Sequence, residues 1–524
     1  MSSNLFTQPN NLQEQSQDNQ DLKKRKEDHA IEIRNTKRQE VLKKHRQPQQ
    51  QTNQQEQLKQ SIPQYGQNLA INSVDPTLRE SLDHIYSMQF KNEQFQQLII
   101  CLNNQDIIQQ HQGCIGLRKL LSVEDQPPIQ MAIDSNCVPR FIEFIKQNQY
   151  PILTLEAAWC LTNIASGTTH QTQSIIDKGA IPLFCRLLNS LYTDISEQAI
   201  WAIGNISGDC NTYRDMILKC DGLNPLVKIL MNTTDKKTIK HGSWALSNLC
   251  RGRPLPQYEL VKNAIEPICK VLQSETDTEV LTDCAWAISY LSDGNEERIQ
   301  RVIDTGAVSG LVRLIGHQLL SILIPCLRTL GNICTGNDEQ TDIVLNHGAL
   351  PQLFQLINHE KKAVRREACW VLSNIAAGNS DQIAQIVRNV SYVELLFTKI
   401  QNEPVEISRE ASWVISNCTS QGYPEDIRRL VELGVLKVFI NLLQTSQDSK
   451  QLAVVLESLN HILAQGETTF KIGNDNPFSL QLEALGALDT IEELQQHPDN
   501  DVYVKSIRIL EKYYELENQI EQEF

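Results

Sequence analysis

Aromatic side chains are scarce in this sequence: 6% of 524 residues, with only six Trp. With 40% apolar residues overall, that supply is lean for one large core and suits an elongated chain with a thin one. Long hydrophobic runs are missing too. Even the greasiest stretch, Leu311 to Leu330, contains Arg313, His317 and Arg328, so no membrane span and no membrane partner is expected. The segment Met1 to Asn11 lacks the basic flank and apolar centre of a secretory leader. Fourteen Cys lie singly between Cys101 and Cys418, none spaced C-x-x-C, so no metal site or redox dithiol is expected. Such dispersed thiols read as small buried residues of a reducing compartment. There is no G-x-x-x-x-G-K, G-x-S-x-G or H-E-x-x-H, and the eleven His do not cluster beside Cys or Asp pairs. Neither catalysis nor a cofactor is expected. Net positive charge is absent as well: 48 Lys and Arg against 63 Asp and Glu give −15, the wrong sign for direct nucleic-acid binding over the whole surface.

The charge is unevenly spread. Leu22 to Arg46 holds ten basic residues (Lys23, Lys24, Arg25, Lys26, Arg34, Lys37, Arg38, Lys43, Lys44 and Arg46) against four acids. That segment is +6 and the remainder −21, so the two are electrostatically complementary. No basic residue precedes Lys23. Twenty of the first 60 residues are Gln or Asn, and Phe6 is their only aromatic. Such composition cannot offset its ordering entropy. Residues 1–21 are therefore expected to be disordered and 47–84 to form a Gln-rich flexible linker. Between them, residues 22–46 are compatible with a basic helix induced by a partner.

The tryptophans expose a repeat. They stand at 159, 201, 244, 286, 370 and 413, with gaps of 42, 43, 42, 84 and 43; the missing rung is Arg328. Four residues after each rung come Asn163, Asn205, Asn248, Tyr290, Asn332, Asn374 and Asn417. Before the rungs stand small turns such as Gly179-Ala180-Ile181-Pro182 and Gly348-Ala349-Leu350-Pro351. After them come Gly167, Gly208, Gly252, Gly294, Gly336, Gly378 and Gly422, which are expected to end helices in the left-handed conformation. Three helices in about 42 residues, tandemly stacked, describe an armadillo-type solenoid. The expected fold is all-α: a right-handed superhelical solenoid of about ten armadillo repeats over residues 85–515, extending back through Arg118, with a tail at 516–524.

Trp at i and Asn at i+4 share one helix face, so stacked third helices would line them up in two rows. A core stripe would explain the Trp but not an amide at every rung, which would need a partner each time. A surface groove for an extended peptide explains both: the amide can hold a peptide N–H and C=O, and indoles form slots for Lys or Arg stems. Asp209 lies four residues beyond Asn205, and Asp283, Glu367 and Glu410 lie three before their Trp. The expected ligand is a Lys/Arg-rich peptide, and the interruption at Tyr290 and Arg328 suits two basic clusters joined by a spacer. A rival armadillo scaffold for adhesion or signalling would instead be expected to line its groove with Lys and Arg.

With Arg118-Lys119-Leu120-Leu121-Ser122, Trp159-Cys160-Leu161-Thr162-Asn163-Ile164-Ala165-Ser166-Gly167 and Trp244-Ala245-Leu246-Ser247-Asn248, the sequence resembles the importin-α family of nuclear-import adapters. The resemblance implies a major site for nuclear localisation signals at Trp159, Asn163, Ser166, Gly167, Thr172, Gln198, Trp201, Asn205, Asp209, Trp244, Asn248, Arg251, Asp283 and Trp286. Ser166, Gly167, Thr172 and Asp209 would form the pocket for the key lysine. It implies a minor site at Tyr290, Arg328, Asn332, Thr335, Gly336, Glu367, Trp370, Asn374, Glu410, Trp413 and Asn417. Residues 22–46 resemble an importin-β-binding, autoinhibitory segment. The last repeat would contact an export receptor with Ran-GTP. Shuttling between cytoplasm and nucleus, through the nuclear pore, follows as an expectation.

Overall fold

The computed structural model describes residues 69–147 and 149–514. Everything expected of residues 1–68 and 515–524, including the basic segment 22–46 and the tail 516–524, lies outside the described residues. Among the described residues the chain is all-helical; the sole extended pairing is an isolated bridge between Ile472 and Asp475. It divides into two compact units, up to Leu226 and from Val227.

Each unit is built from the same triplet of helices. In the first unit, for example, Thr169–Ile176 and Ala180–Leu187 are followed by the longer Thr193–Asp209. The long helices stack in order: Ile107–Leu121, Pro151–Ile164 and Thr193–Asp209 in the first unit. In the second they are Lys236–Cys250, Thr278–Leu291, Leu320–Ile333, Lys362–Ala376, Val405–Gln421, Ser449–Thr468 and Asn500–Tyr513. Ten long helices among the described residues thus occupy the third position.

Local chemistry sets their starts. Asp106, Asp235, Asp277, Asp448 and Asp499 each cap a long helix, accepting backbone N–H groups of its first turn. Burial sets their orientation. Within Pro151–Ile164, Ile152, Leu153, Ala157, Ala158, Cys160, Leu161 and Ile164 are buried, while Trp159 and Asn163 are only half-buried. The thin core runs along that apolar stripe.

Two expectations need correction. The linker ends sooner than residue 84: Ala70–Ser73 forms a 3-10 turn and Pro76–Ser87 a helix. Ala70 N–H is held by both carboxylate oxygens of Asp194, at 3.2 and 3.0 Å, and Leu82 and Ile85 are buried. Apolar residues here gain enough from burial to order a segment whose Gln-rich neighbour reads as linker. The left-handed glycines are also mostly the other set. Gly179 (φ 79°), Gly348 (φ 77°) and Gly434 (φ 97°) turn the chain between the first and second helices. Of the glycines after the rungs, only Gly252 and Gly294 have positive φ. Gly167, Gly336 and Gly378 serve by close approach: a Cβ there would strike Oε1 of Gln171, Gln340 or Gln382. Each Gln folds back to accept the N–H of its own helix cap. Gln340 and Gln382 also donate to the preceding repeat, at Glu296 O and Asp338 O.

Candidate functional site

In the first unit, the ladder runs from Pro151–Ile164 to Thr193–Asp209. Trp159 and Trp201 are half-buried, so each ring is packed on one side and accessible on another. The Asn amides prove to have internal work. Asn163 Nδ2 donates to Ser122 Oγ at 2.9 Å, and Asn205 Nδ2 to Thr162 O at 3.2 Å. Every such bond crosses to the preceding long helix. The partner that a core amide requires is therefore supplied by the preceding repeat, which takes one of the two N–H groups of each of these amides. The acceptor at Asn205 is different. Its Oδ1 is buried and makes no hydrogen bond within the chain, and the same holds for Nε2 of Gln198, two turns earlier on the same helix. An unmatched acceptor and an unmatched donor thus flank Trp201.

Asp209, half-buried at the end of its helix, accepts from Thr169 Oγ1 at 3.1 Å, which ties it to the helix start after Gly167. Ser166 Oγ donates to Asn163 O at 2.7 Å. Thr172 is fully buried beneath, its hydroxyl directed at Ala165 O and Thr168 O, both at 3.3 Å. The four residues expected to select a lysine are thus gathered by one inter-repeat turn, with Thr172 as its floor.

The second unit has its own ladder, which begins at Trp244 and Asn248, with Arg251 and Asp283 half-buried. Trp286 departs from the pattern, being only 6% exposed. Tyr290 stacks on it at 5.9 Å between centroids, and the Arg328 guanidinium lies 5.7 Å from its ring centre. Arg328 also approaches Glu367 at 4.0 Å, and Arg366 approaches the same oxygen at 3.5 Å. Glu367, 2% exposed, already sits between two guanidinium groups rather than standing open at a slot. The interruption at Tyr290 and Arg328 is therefore a self-filled position, not a gap.

Beyond it, Asn332 donates to Ser289 O at 2.9 Å and Ser292 Oγ at 3.1 Å, and Asn417 to Ser373 O at 2.9 Å. Trp370 and Trp413 are half-buried, Glu410 is buried between helices, and Thr335 is exposed with its hydroxyl on Asn332 O. The Trp370 ring lies so close over Gly331 that a Cβ there would enter it. Gly336 stands at the following turn.

One cluster escaped the sequence reading. Arg118 Nε donates to Glu156 Oε2 at 2.7 Å, its guanidinium lies 4.6 Å from the Trp159 ring centre, and Tyr86 Oη donates to Glu156 Oε1 at 2.9 Å. Burial, then the Glu156 charge, hold the Tyr86 hydroxyl well above its ordinary value, so it remains a donor. The only sequence signal was Arg118 standing one repeat before Trp159.

No helix among the described residues is long and apolar enough to cross a membrane, and none of their His, Cys, Asp and Glu side chains form a metal-holding group of three.

Comparison with known proteins agrees with this layout. An importin beta binding domain model matches residues 10–114. Armadillo/beta-catenin-like repeats match at 125–166, 168–208, 210–251, 254–293, 295–335 and 337–377, and an atypical Arm repeat at 476–524. The chain is 42% identical over 502 residues to importin subunit alpha-2 of Arabidopsis thaliana, covering 95% of this chain and 90% of that protein. It is 39% identical to importin subunit alpha-1b of Oryza sativa subsp. japonica, with 83% and 81% covered. It is 36% identical to a probable importin subunit alpha-A of Dictyostelium discoideum, with 95% and 90% covered. Among solved structures, an engineered protein aligns with a TM-score of 0.69 at 26% identity, over 80% of this chain and 98% of that one.

Proposed function

This chain belongs to the importin-α family, and from that premise we propose that its Trp/Asn ladder holds the Lys/Arg-rich nuclear localisation signals of cargo. The family role is that of a nuclear-import adapter, not an enzyme: its importin-β-binding domain joins cargo to importin-β, and it shuttles between cytoplasm and nucleus. The observation that carries the ladder reading is the row of half-buried rings, Trp159 and Trp201, ending at the half-buried Asp209 carboxylate. The half-buried rings of Trp159 and Trp201 and the Asp209 carboxylate supply apolar walls and negative charge for a lysine stem and tip.

In this reading the first-unit rungs, with Asp209, take the principal basic cluster. Trp370, Trp413, Asn374, Asn417 and Glu410 in the second unit take the shorter cluster of a bipartite signal. The segment 22–46, at +6, competes for the ladder until importin-β removes it, with Lys43, Lys44 and Arg46 as occupants of the slots. The C-terminal repeats return the adapter through the nuclear pore with an export receptor and Ran-GTP.

The test is titration calorimetry of full-length protein and of residues 69–524 with a bipartite basic peptide. The cut falls before Leu69 because Ala70 is anchored by Asp194. Truncation should tighten binding and abolish its dependence on importin-β; equal affinities would remove autoinhibition. Asp209→Lys should cost about 2–5 kcal/mol of affinity, as expected for a desolvated charge pair. Undiminished affinity in a folded Asp209→Lys variant would remove the ladder assignment.

A further inference from the structure

At the first rung position of the ladder stands an Arg, and its cation is already seated. The Arg118 guanidinium lies over the Trp159 ring and is bonded to Glu156, three residues before Trp159. Asp283, Glu367 and Glu410 hold that same place before their own Trp. Glu156 is 2% exposed and fully engaged, by Arg118 on one oxygen and Tyr86 on the other. Next to it, Lys119 Nζ donates to Tyr86 O at 2.6 Å and Met88 O at 2.8 Å, fixing the end of the Pro76–Ser87 helix against the same spot. A cation over an indole with a carboxylate at its edge is the arrangement assigned above to a cargo side chain. Here the chain makes it from its own residues.

We propose that Arg118 is a specificity-determining residue that closes this end of the ladder, filling one cation slot against Trp159 in cis and disfavouring a further Lys or Arg of the peptide there. The inference rests on the basic-peptide reading of the ladder. Its physical basis is repulsion as well as occupancy. Arg118 is 13% exposed, so its charge is poorly screened. A second cation would have to displace it from a buried carboxylate or lie beside it. Selectivity of this kind comes from a built-in unfavourable contact, not from an added attractive one. A peptide with a neutral residue at that flank meets no such penalty.

The experiment uses full-length protein and three peptides with one shared five-residue basic core. One carries Ala on both flanks, one a Lys on the N-terminal flank, and one a Lys on the C-terminal flank. With the wild type, one Lys-flanked peptide should bind no tighter than the Ala-flanked one. The other Lys-flanked peptide reports the general attraction of the acidic body. In Arg118→Gln the ratio of the disfavoured peptide to the Ala-flanked one should rise by about tenfold, an opened slot with an acid at its edge. The same change for all three peptides would make Arg118 a mere support of Trp159, and an unchanged ranking would remove it from the site; either overturns the proposal. Because a lone buried Glu156 can unfold the single variant, Arg118→Met with Glu156→Gln provides a neutral pair. The freed ring face should then still give a roughly two- to fivefold preference for the formerly disfavoured peptide. Absence of that preference also overturns the proposal. If the Ala-flanked core peptide fails to bind wild type and variants alike, the basic-peptide reading itself has failed, a result distinct from all of these.

Discussion

The Asn374 side chain donates to the carbonyl of Gly331, 43 residues earlier in the chain, at 3.0 Å. Asn417 makes the same bond to Ser373, and Asn205 to Thr162. The amide row that marks the repeat in sequence is therefore also a row of bolts between successive long helices, within each unit. Each of these three bonds uses one of the two N–H groups of its amide.

Stability should therefore depend on the Asn row without any peptide present. Asn332 is 4% exposed and bonds both Ser289 O and Ser292 Oγ. Asn332→Ala should cost about 1–3 kcal/mol, because it leaves buried acceptors unmatched. Asn332→Asp should cost more, since it replaces the donor with a carboxylate aimed at a carbonyl. Urea denaturation midpoints of the three proteins check the order.

The tryptophans should separate into two kinds. Trp201→Ala should weaken a basic peptide by roughly 2–4 kcal/mol while leaving the fold nearly intact, as a binding hot spot does. Trp286, packed under Tyr290 and Arg328, should behave as core. Trp286→Ala should cost about 3–5 kcal/mol of stability and change affinity far less. Calorimetric titration beside thermal unfolding distinguishes them, and equal behaviour of the two would contradict the different burial.

Acid should destabilise the first unit through His111. Its ring is 1% exposed; Nδ1 donates to Ile107 O at 2.8 Å, and Nε2 is buried without a partner. Burial lowers its pKa below 6.5, against the opposing pull of the Ile107 carbonyl and Glu156. The folded form thus stays neutral where the unfolded chain takes up a proton, so stability is lost as pH falls below 6.5 toward the folded pKa. His461, also lowered by burial, adds to the same window. His111→Gln should flatten the fall in stability as pH drops below 6.5.

Thiol labelling should be confined to one place. Burial pushes Cys137, Cys185, Cys269 and Cys418 up to about 12, whereas Cys220 is exposed and Cys210 half-buried. Thiolate is the reactive form, so a brief alkylation near pH ~8 should modify Cys220 first and Cys210 next. The remaining twelve should react only in denaturant. Mass spectrometry of the peptides reads this directly.

Much of the molecule was legible in the residues. The Trp spacing identified the repeat, and the absence of alternation excluded strands. The apolar stripe of Pro151–Ile164 turned Trp159 and Asn163 away from the core, as the helical period requires. What misled was chemistry that reaches across repeats. The glycines after the rungs looked like left-handed caps, yet Gly167, Gly336 and Gly378 leave room for a returning Gln. Glu367 looked like a slot acid, yet Arg328 and Arg366 close on it.

The sequence by itself determined the helix pattern, the rung positions, the segregation of positive charge near the N-terminus and the family of adapters. These follow from spacing along one chain, where a period of 3.6 residues or about 42 residues can be counted directly. Only the tertiary structure decided which rung side chains are already engaged. Arg118 and Arg328 occupy the same place in the repeat as the Trp, and nothing in their spacing shows that each covers a neighbouring indole. Nor does spacing show that Asn205 gives one N–H to Thr162 while its acceptor is buried without a bond in the chain. Such facts are set by how closely adjacent helices approach, because hydrogen bonds and cation–ring contacts act over a few ångströms between residues some 40 apart.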